Sequence, residues 1–97
     1  MKWFSVYLNA RNFYLDVGNG PAPHGFYTTR IVSAPDPATA EQSAVDAIRS
    51  DERLLDLMHN GPDDPVRIFV VEIEEISSDD AQPAQDAGLA WYPESKE

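Results

Sequence analysis

The chain has 97 residues, the size of one small domain, and its composition excludes several classes of protein. Seventeen acidic and seven basic residues give a formal net charge of −10, which repels phosphate backbones and argues against binding of nucleic acid. Cysteine is absent, so disulfides and thiolate metal sites are excluded, and no apolar run is long enough for a signal peptide or a membrane span. We therefore expect a single domain over 1–97, located in the cytoplasm.

The acidic residues are concentrated towards the C-terminal end. Residues 63–97 contain ten of them but only two bases, Arg67 and Lys96. One interpretation is that this excess keeps the protein soluble. The other is that it forms an acidic face for a basic partner, or a surface that imitates nucleic acid.

The first third of the chain is rich in strand signals. Apolar and polar residues alternate over 2–8, which is typical of a strand. A polar, turn-like segment over 9–12 follows, and the pattern leaves open whether 13–17 form a short second strand. Three glycines and two prolines over 18–25 predict a loop, because such a segment does not suit a regular ladder. The β-branched and aromatic residues over 26–34 predict the next strand.

A helical block follows this strand. Asp36 is a suitable N-cap and Pro37 suits the first helical position. The apolar residues that then recur at helical spacing are Ala40, Ala44, Val45 and Ile48. A short second helix is predicted over 51–58, with its leucines continuing the core. The pattern leaves open whether this helix is separate or part of one helix kinked near Ser50.

The segment over 66–76 has the strongest strand signal in the chain. Four consecutive apolar residues over 68–71 predict a central strand that is buried on both faces. In this register Val71 belongs to the core and Glu72 faces solvent.

The remaining residues complete the predicted fold. A mobile acidic loop is predicted over 77–88, a short closing strand over 89–92, and a frayed tail over 93–97. Together the elements predict an α+β fold. We expect an antiparallel or mixed sheet of about four strands, with one main helix and a short second helix packed on one face.

Three short motifs stand out: GFYTTR at 25–30, EIEEI at 72–76 and GLAWYPE at 88–94. With these motifs the chain resembles a family of small uncharacterised bacterial proteins, and the similarity extends over most of its length. The resemblance implies a compact single domain. It supplies no catalytic or binding residues, because the family has no assigned activity.

The strongest candidate ligand site is a run of four residues in the strand over 26–34. These residues are Tyr27, Thr28, Thr29 and Arg30. A guanidinium beside hydroxyl groups can hold a carboxylate or a phosphate. The alternative is structural: threonine favours strands, and Arg30 forms a cross-strand ion pair with Glu72 or Glu74.

Aromatic residues occupy the side of the first strand that faces away from Phe4, Val6 and Leu8. The candidates for an interaction surface are Trp3, Tyr7, Trp91 and Tyr92. If the helices cover only one face of the sheet, these aromatics are exposed, and aromatic patches of this kind mark interfaces. The alternative is that the loop over 77–88 or the loop over 18–25 folds over them.

The sequence contains no recognisable catalytic, metal-binding or cofactor motif, so we expect no cofactor and no metal. Its two histidines are isolated in the sequence and are expected in solvated loops. Two classes of function remain. The first is a non-enzymatic interaction or regulatory module that binds an unknown protein partner or forms a homodimer, with no membrane involved. The second is a small-anion binder or minor enzyme that uses Arg30 and the loop over 18–25. We favour the first.

Overall fold

The part of the chain that the structure describes forms an antiparallel sheet of four strands with two helices on one face. The computed structural model describes residues 1–18, 20–80 and 89–94. The elements in chain order are β1 (Lys2–Asp16), β2 (Pro21–Ala34), α1 (Pro37–Arg49), α2 (Glu52–Leu57), β3 (Arg67–Ile76) and β4 (Ala90–Pro93). The strand order is β3-β1-β2-β4, and α1 contacts β1, β2 and β3. This architecture confirms the predicted α+β fold with one main helix and a short second helix.

The helix-covered face of the sheet holds the hydrophobic core. Successive residues of a strand point to opposite faces, so every second residue of β1 points towards α1 over the first ten positions. The buried hydrophobic residues are Phe4, Val6, Leu8, Ala10, Phe13, Phe26, Ala34, Ala40, Ala44, Ile48 and Leu54. Small alanine side chains at the contact let α1 lie close to the strands, as the helical spacing predicts.

β1 is one long strand rather than a strand, a turn and a second strand. Its register against β2 shifts between Ala10 and Phe13, so that Arg11 and Asn12 together lie opposite Gly25. Asn12 has a φ of 60°, a left-handed conformation that asparagine adopts more readily than most residues. The sequence suggests a turn here because a β-bulge favours the same residue types as a turn.

A tight turn joins β1 to β2. Asp16 Oδ1 accepts hydrogen bonds from Gly18 N at 2.8 Å and from Gly20 N at 3.2 Å. The two glycines have φ values of 118° and 90°, which residues with a Cβ rarely adopt. The aspartate and the glycines together therefore favour a short hairpin connection.

The two prolines after this turn lie in β2, so the prediction of a loop over 18–25 is wrong beyond the turn. Pro21 and Pro23 are register partners of residues in β1. They are two residues apart, so their nitrogens face the same side of the strand. β4 pairs with β2 over 24–27, and on this side of the prolines Glu94 N donates to the Pro23 carbonyl, a contact that needs no proline N–H, so the missing donors cost little.

α1 and α2 are separate helices with separate caps. The Asp36 carboxylate accepts a hydrogen bond from Thr39 N at 2.8 Å, as expected for an N-cap. α1 ends at Ser50, and the Asp51 carboxylate caps α2 by accepting from Arg53 N at 3.0 Å. The structure therefore has two helices where the sequence left one kinked helix as an alternative. Within the described residues, neither helix is long and apolar enough to cross a membrane.

α2 contributes less to the core than its leucines suggest. Leu54 is buried, but Leu55 and Leu57 are nearly half exposed. A helix of six residues makes fewer than two turns, so only residues on its inner side reach the sheet.

β3 is an edge strand, not the central strand that its apolar run predicts. Its register against β1 shifts between Tyr7 and Leu8, which leaves Val71 as the extra residue of a β-bulge. Val71 is 52% exposed and Phe69 is 48% exposed, so the prediction that Val71 belongs to the core is wrong. Glu72 is exposed, as expected. The consecutive apolar residues reflect a bulge and an uncovered sheet face rather than burial on both sides.

Two predicted segments near the C-terminus lie partly outside the described residues. The acidic loop over 77–88 begins with a hydrogen-bonded turn, and residues 81–88 lie outside the described part of the chain. The tail over 93–97 begins at the end of β4, where Glu94 N donates to a carbonyl of β2 at 3.1 Å. Residues 95–97 again lie outside the described part.

Candidate interaction surface

The sheet face opposite the helices is the candidate functional surface, and we call it the open face. By the strand register its residues are Trp3, Ser5, Tyr7, Asn9, Arg11, Tyr14, Asp16, Pro21, Pro23, Gly25, Tyr27, Thr29, Ile31, Ser33, Arg67, Phe69, Glu72, Glu74, Ile76, Ala90 and Tyr92. Large hydrophobic side chains on it are strongly exposed: Tyr7 at 40%, Tyr27 at 37% and Phe69 at 48%. A cluster of exposed aromatics, unlike a single exposed residue, indicates a contact surface.

Three tyrosines form a row of contacting rings across the open face. The rings of Tyr7 and Tyr27 stack with 5.6 Å between centroids and 13° between planes. The rings of Tyr27 and Tyr92 are also 5.6 Å apart, with a tilt of 34°. Ring pairs at this separation attract one another, so each tyrosine restrains its neighbour.

Two further contacts fix the Tyr92 ring at the outer end of this row. The ring lies over Gly25, its register partner in β2, where an added Cβ would come within 2.3 Å of ring atoms. The Asn9 side-chain amide donates to the Tyr92 hydroxyl at 3.0 Å and to the carbonyl of Phe26 at 3.2 Å. Glycine is needed at position 25 for this close approach, since its φ is not in the left-handed region.

Charged residues lie beside the tyrosine row on β1 and β3. Arg11 and Arg67 are register partners at one end of the open face, and Glu72 and Glu74 lie further along β3. Like charges directly opposite on neighbouring strands are destabilising. Glu94 offsets this in part, because its Oε2 lies 3.8 Å from Arg11 Nε. With Glu94 counted, the two arginines and three glutamates give this part of the face a net charge of −1, against −10 for the whole chain.

The structure places three of the four predicted interface residues on the open face. Trp3, Tyr7 and Tyr92 lie there, whereas Trp91 lies on the helix-covered side. The Trp91 ring packs against Phe13 at 5.0 Å and against Phe26 at 4.9 Å. Adjacent strand residues point to opposite faces, so only one member of the Trp91–Tyr92 pair can join the row.

The same alternation divides the predicted ligand site. Tyr27 and Thr29 lie on the open face, while Thr28 and Arg30 are buried on the helix-covered face. The four side chains therefore do not converge on one ligand. The hairpin turn is also distant, because nine strand residues lie between Gly20 and Arg30, a span of about 30 Å.

Arg30 forms a buried ion pair with the cap of α2. Its Nη2 lies 3.5 Å from Asp51 Oδ2, and both side chains are about nine-tenths buried. The expected pair with Glu72 or Glu74 is wrong, because those residues lie on the other face and β1 separates their strand from β2. A side-chain hydrogen bond from Arg53 holds the pKa of Asp51 at about 2, below its ordinary 3.8, although burial acts in the opposite direction.

An apolar cavity of about 300 Å³ lies beside α2 at the far end of the core. Buried side chains such as Phe13 and Leu54 line it, and Arg49 and Asn60 contribute its polar side chains. The Asn60 amide is already used, because it accepts from Tyr14 N at 3.0 Å and donates to a β1 carbonyl at 2.7 Å. The cavity therefore offers few groups to orient a ligand.

The histidines do not form a site. Among the residues that the structure describes, no three side chains of the metal-ligating types converge. His59 is exposed, as expected, but His24 is buried in β2, with its Nδ1 2.8 Å from the carbonyl oxygen of Ala22. The expectation of a solvated loop at His24 is wrong because this segment belongs to the hairpin.

Two important residues of the open face have other roles in the prediction from the sequence. Tyr27 belongs there to the candidate ligand site, although residues two apart in a strand, such as Tyr27 and Thr29, lie on the same face. Phe69 belongs there to a strand buried on both faces, and nothing local in the sequence indicates an edge position. Comparison of the chain with protein-family models, with curated proteins and with solved structures finds no match.

Proposed function

We propose that the protein is a non-enzymatic interaction module that contacts a protein partner through its open face. The observation that carries this proposal is the exposure of Tyr7, Tyr27 and Phe69 on a face that neither α1 nor α2 covers. Tyrosine and phenylalanine are enriched in the cores of protein interfaces, and tyrosine is common among the residues that dominate binding energy.

The tyrosine row is also well prepared for binding. Tyr27 contacts a ring on each side, and the Tyr92 hydroxyl is held by Asn9. Side chains that are already restrained lose less conformational entropy when a partner covers them. Each tyrosine combines a large apolar ring with a polar hydroxyl that can hydrogen-bond to water. The row can therefore be exposed to solvent before a partner covers it.

The charge of the chain favours a protein over a nucleic acid as the partner. A net charge of −10 opposes the approach of a phosphate backbone. We place the interaction in the bacterial cytoplasm, in line with a chain that contains no cysteine and with the family resemblance of its motifs.

The alternative, a small-anion binder that uses Arg30, has less support. An anion would have to compete with Asp51 for a guanidinium that is already buried. It would also be unable to reach the hairpin turn and Arg30 together, since about 30 Å separates them along the strand.

Site-specific photo-crosslinking in cells that natively produce the protein tests the proposal. Benzoylphenylalanine is introduced at Tyr27 in one variant and, as a matched control, at Ala47 in another. Ala47 is exposed on α1, the helix that packs against the other face of the sheet. We expect irradiation to give a discrete protein adduct from position 27 and none from position 47. No adduct from position 27, or the same adduct from both positions, would contradict the proposal. Thermal unfolding of both purified variants checks that each is folded.

A further inference from the structure

The charges on the open face have an order along the strands. In the register of β1 against β3, the cross-strand pairs from one end to the other are Arg11 with Arg67, Asn9 with Phe69, Tyr7 with Glu72, Ser5 with Glu74, and Trp3 with Ile76. The basic pair therefore lies at one end, and the acidic residues begin two pairs away. No charged residue of β2 lies on this face.

This order is complementary to itself under one kind of two-fold symmetry. Suppose that two copies stack open face to open face. A two-fold axis that lies between the sheets, perpendicular to the strands and level with the gap between Tyr7 and Asn9, reverses the order of the pairs in the second copy. The arginine pair of each copy then faces the level of Ser5 and Glu74 in the other. An axis that runs along the strands keeps the order, so the arginine pairs of both copies meet at the same end.

From this order we infer that the partner is a second copy of this chain, stacked face to face about the axis that crosses the strands. The inference rests on the proposed function, because it names the partner of the same face. In this arrangement Arg67 of each copy lies against Glu74 of the other, and Glu72 lies one pair further along β3. The tyrosine rows are buried at the centre, between two sheets about 10 Å apart.

Two physical arguments favour a second copy over another partner. On this face two bases, Arg11 and Arg67, lie among the acids Asp16, Glu72, Glu74 and Glu94, a net of −2 against −10 for the whole chain, so two copies repel each other less here than elsewhere. The Arg11–Arg67 pair is destabilising within one sheet, and an opposing carboxylate relieves it. A face-to-face homodimer is also isologous, so each favourable contact occurs twice.

Charge reversal in two complementary variants tests the inference. Three charged positions of β3 lie on the open face: 67, 72 and 74. The variant Arg67→Glu makes all three acidic, and the variant Glu72→Lys with Glu74→Lys makes all three basic. All three sites are exposed, so both variants are expected to fold, which thermal unfolding checks. By sedimentation velocity at about 100 µM, we expect the wild type to dimerise and each variant alone to dimerise at least about tenfold more weakly, because like charges then meet twice.

Mixing the two variants in equal amounts gives the decisive measurement. Every contact in the mixed pair joins opposite charges, so we expect a heterodimer at least as strong as the wild-type dimer. Failure of the mixture to associate would overturn the arrangement. Two copies could also associate by pairing their β3 edge strands, and a third variant, Tyr27→Glu, separates this mode from face-to-face stacking. Tyr27 lies two strands away from the β3 edge, so its replacement should weaken only the stacked dimer. A Tyr27→Glu dimer as strong as the wild type would also overturn the arrangement.

A monomeric wild type would overturn self-association. In that case a crosslinked adduct whose mass identifies a different protein would leave the proposed function in place, whereas no adduct would contradict both.

Discussion

Replacement of Gly25 by alanine is a sharp test of how the open face is built. The added Cβ would lie 2.3 Å from the Cζ and hydroxyl oxygen of Tyr92, so the ring has to move. Moving it breaks the hydrogen bond from Asn9, worth about 0.5–1.5 kcal/mol, and the contact with Tyr27, worth about 0.5–1.5 kcal/mol. Alanine in a strand is more favourable than glycine by about 0.5–1 kcal/mol of folding free energy, which offsets part of this loss. These ranges give a net fall in the free energy of unfolding of about 0–2.5 kcal/mol, with a central value of about 1 kcal/mol.

The same change should have the opposite sign when the ring is absent. In a Tyr92→Ala background the three atoms nearest to the new Cβ are gone, so Gly25→Ala should raise the free energy of unfolding by about 0.5–1 kcal/mol. Urea unfolding of the wild type, both single variants and the double variant gives this cycle. If Gly25→Ala has the same effect in both backgrounds, the Tyr92 ring does not lie over Gly25 and the reasoning fails.

Two other predictions concern the core and the buried ion pair. Val71→Asp should change the free energy of unfolding by less than about 1 kcal/mol, because Val71 is half exposed. Val6→Asp buries a charge and should lower it by several kcal/mol. Similar losses for the two variants in urea unfolding would mean that the β3 register is wrong. Because its pKa falls from 3.8 to about 2 on folding, the Asp51 carboxylate contributes stability that is fully present above pH 3.8 and is lost as pH falls towards 2. The shift corresponds to at most about 2.5 kcal/mol, and about 1–2 kcal/mol remains after allowance for solvent around the exposed Arg53 side chain. The difference in stability between wild type and Asp51→Asn should therefore shrink between pH 5 and pH 2, and a difference that stays constant would contradict this role.

The sequence predicted best those features that depend on neighbouring residues. Asp36 and Pro37 locate the start of α1 because capping is a contact within one turn. The apolar spacing after them predicts the side of α1 that faces the sheet, since helical periodicity is fixed by the backbone.

Features that depend on distant residues were not predicted correctly. The bulge at Val71 reverses the alternation of β3, and only the register against β1 reveals it. The Arg30–Asp51 pair joins residues 21 positions apart on different elements, so no local pattern identifies it. The choice between Trp91 and Tyr92 for the open face likewise depends on how β4 pairs with β2.

The central claim, that two copies of the chain meet through the open face, is tested most directly by hydroxyl-radical footprinting with mass spectrometry at low and high protein concentration. In the monomer at about 1 µM, a concentration that dissociates a micromolar dimer, Tyr7 and Tyr27 should oxidise rapidly and the buried Phe26 slowly. At about 300 µM the two tyrosines should become protected, while Leu55, which is nearly half exposed on α2, should react equally at both concentrations. Rapid oxidation of Tyr7 and Tyr27 at both concentrations would contradict contact between copies through this face. Faster oxidation of Phe26 than of Tyr27 in the monomer would contradict the open face itself.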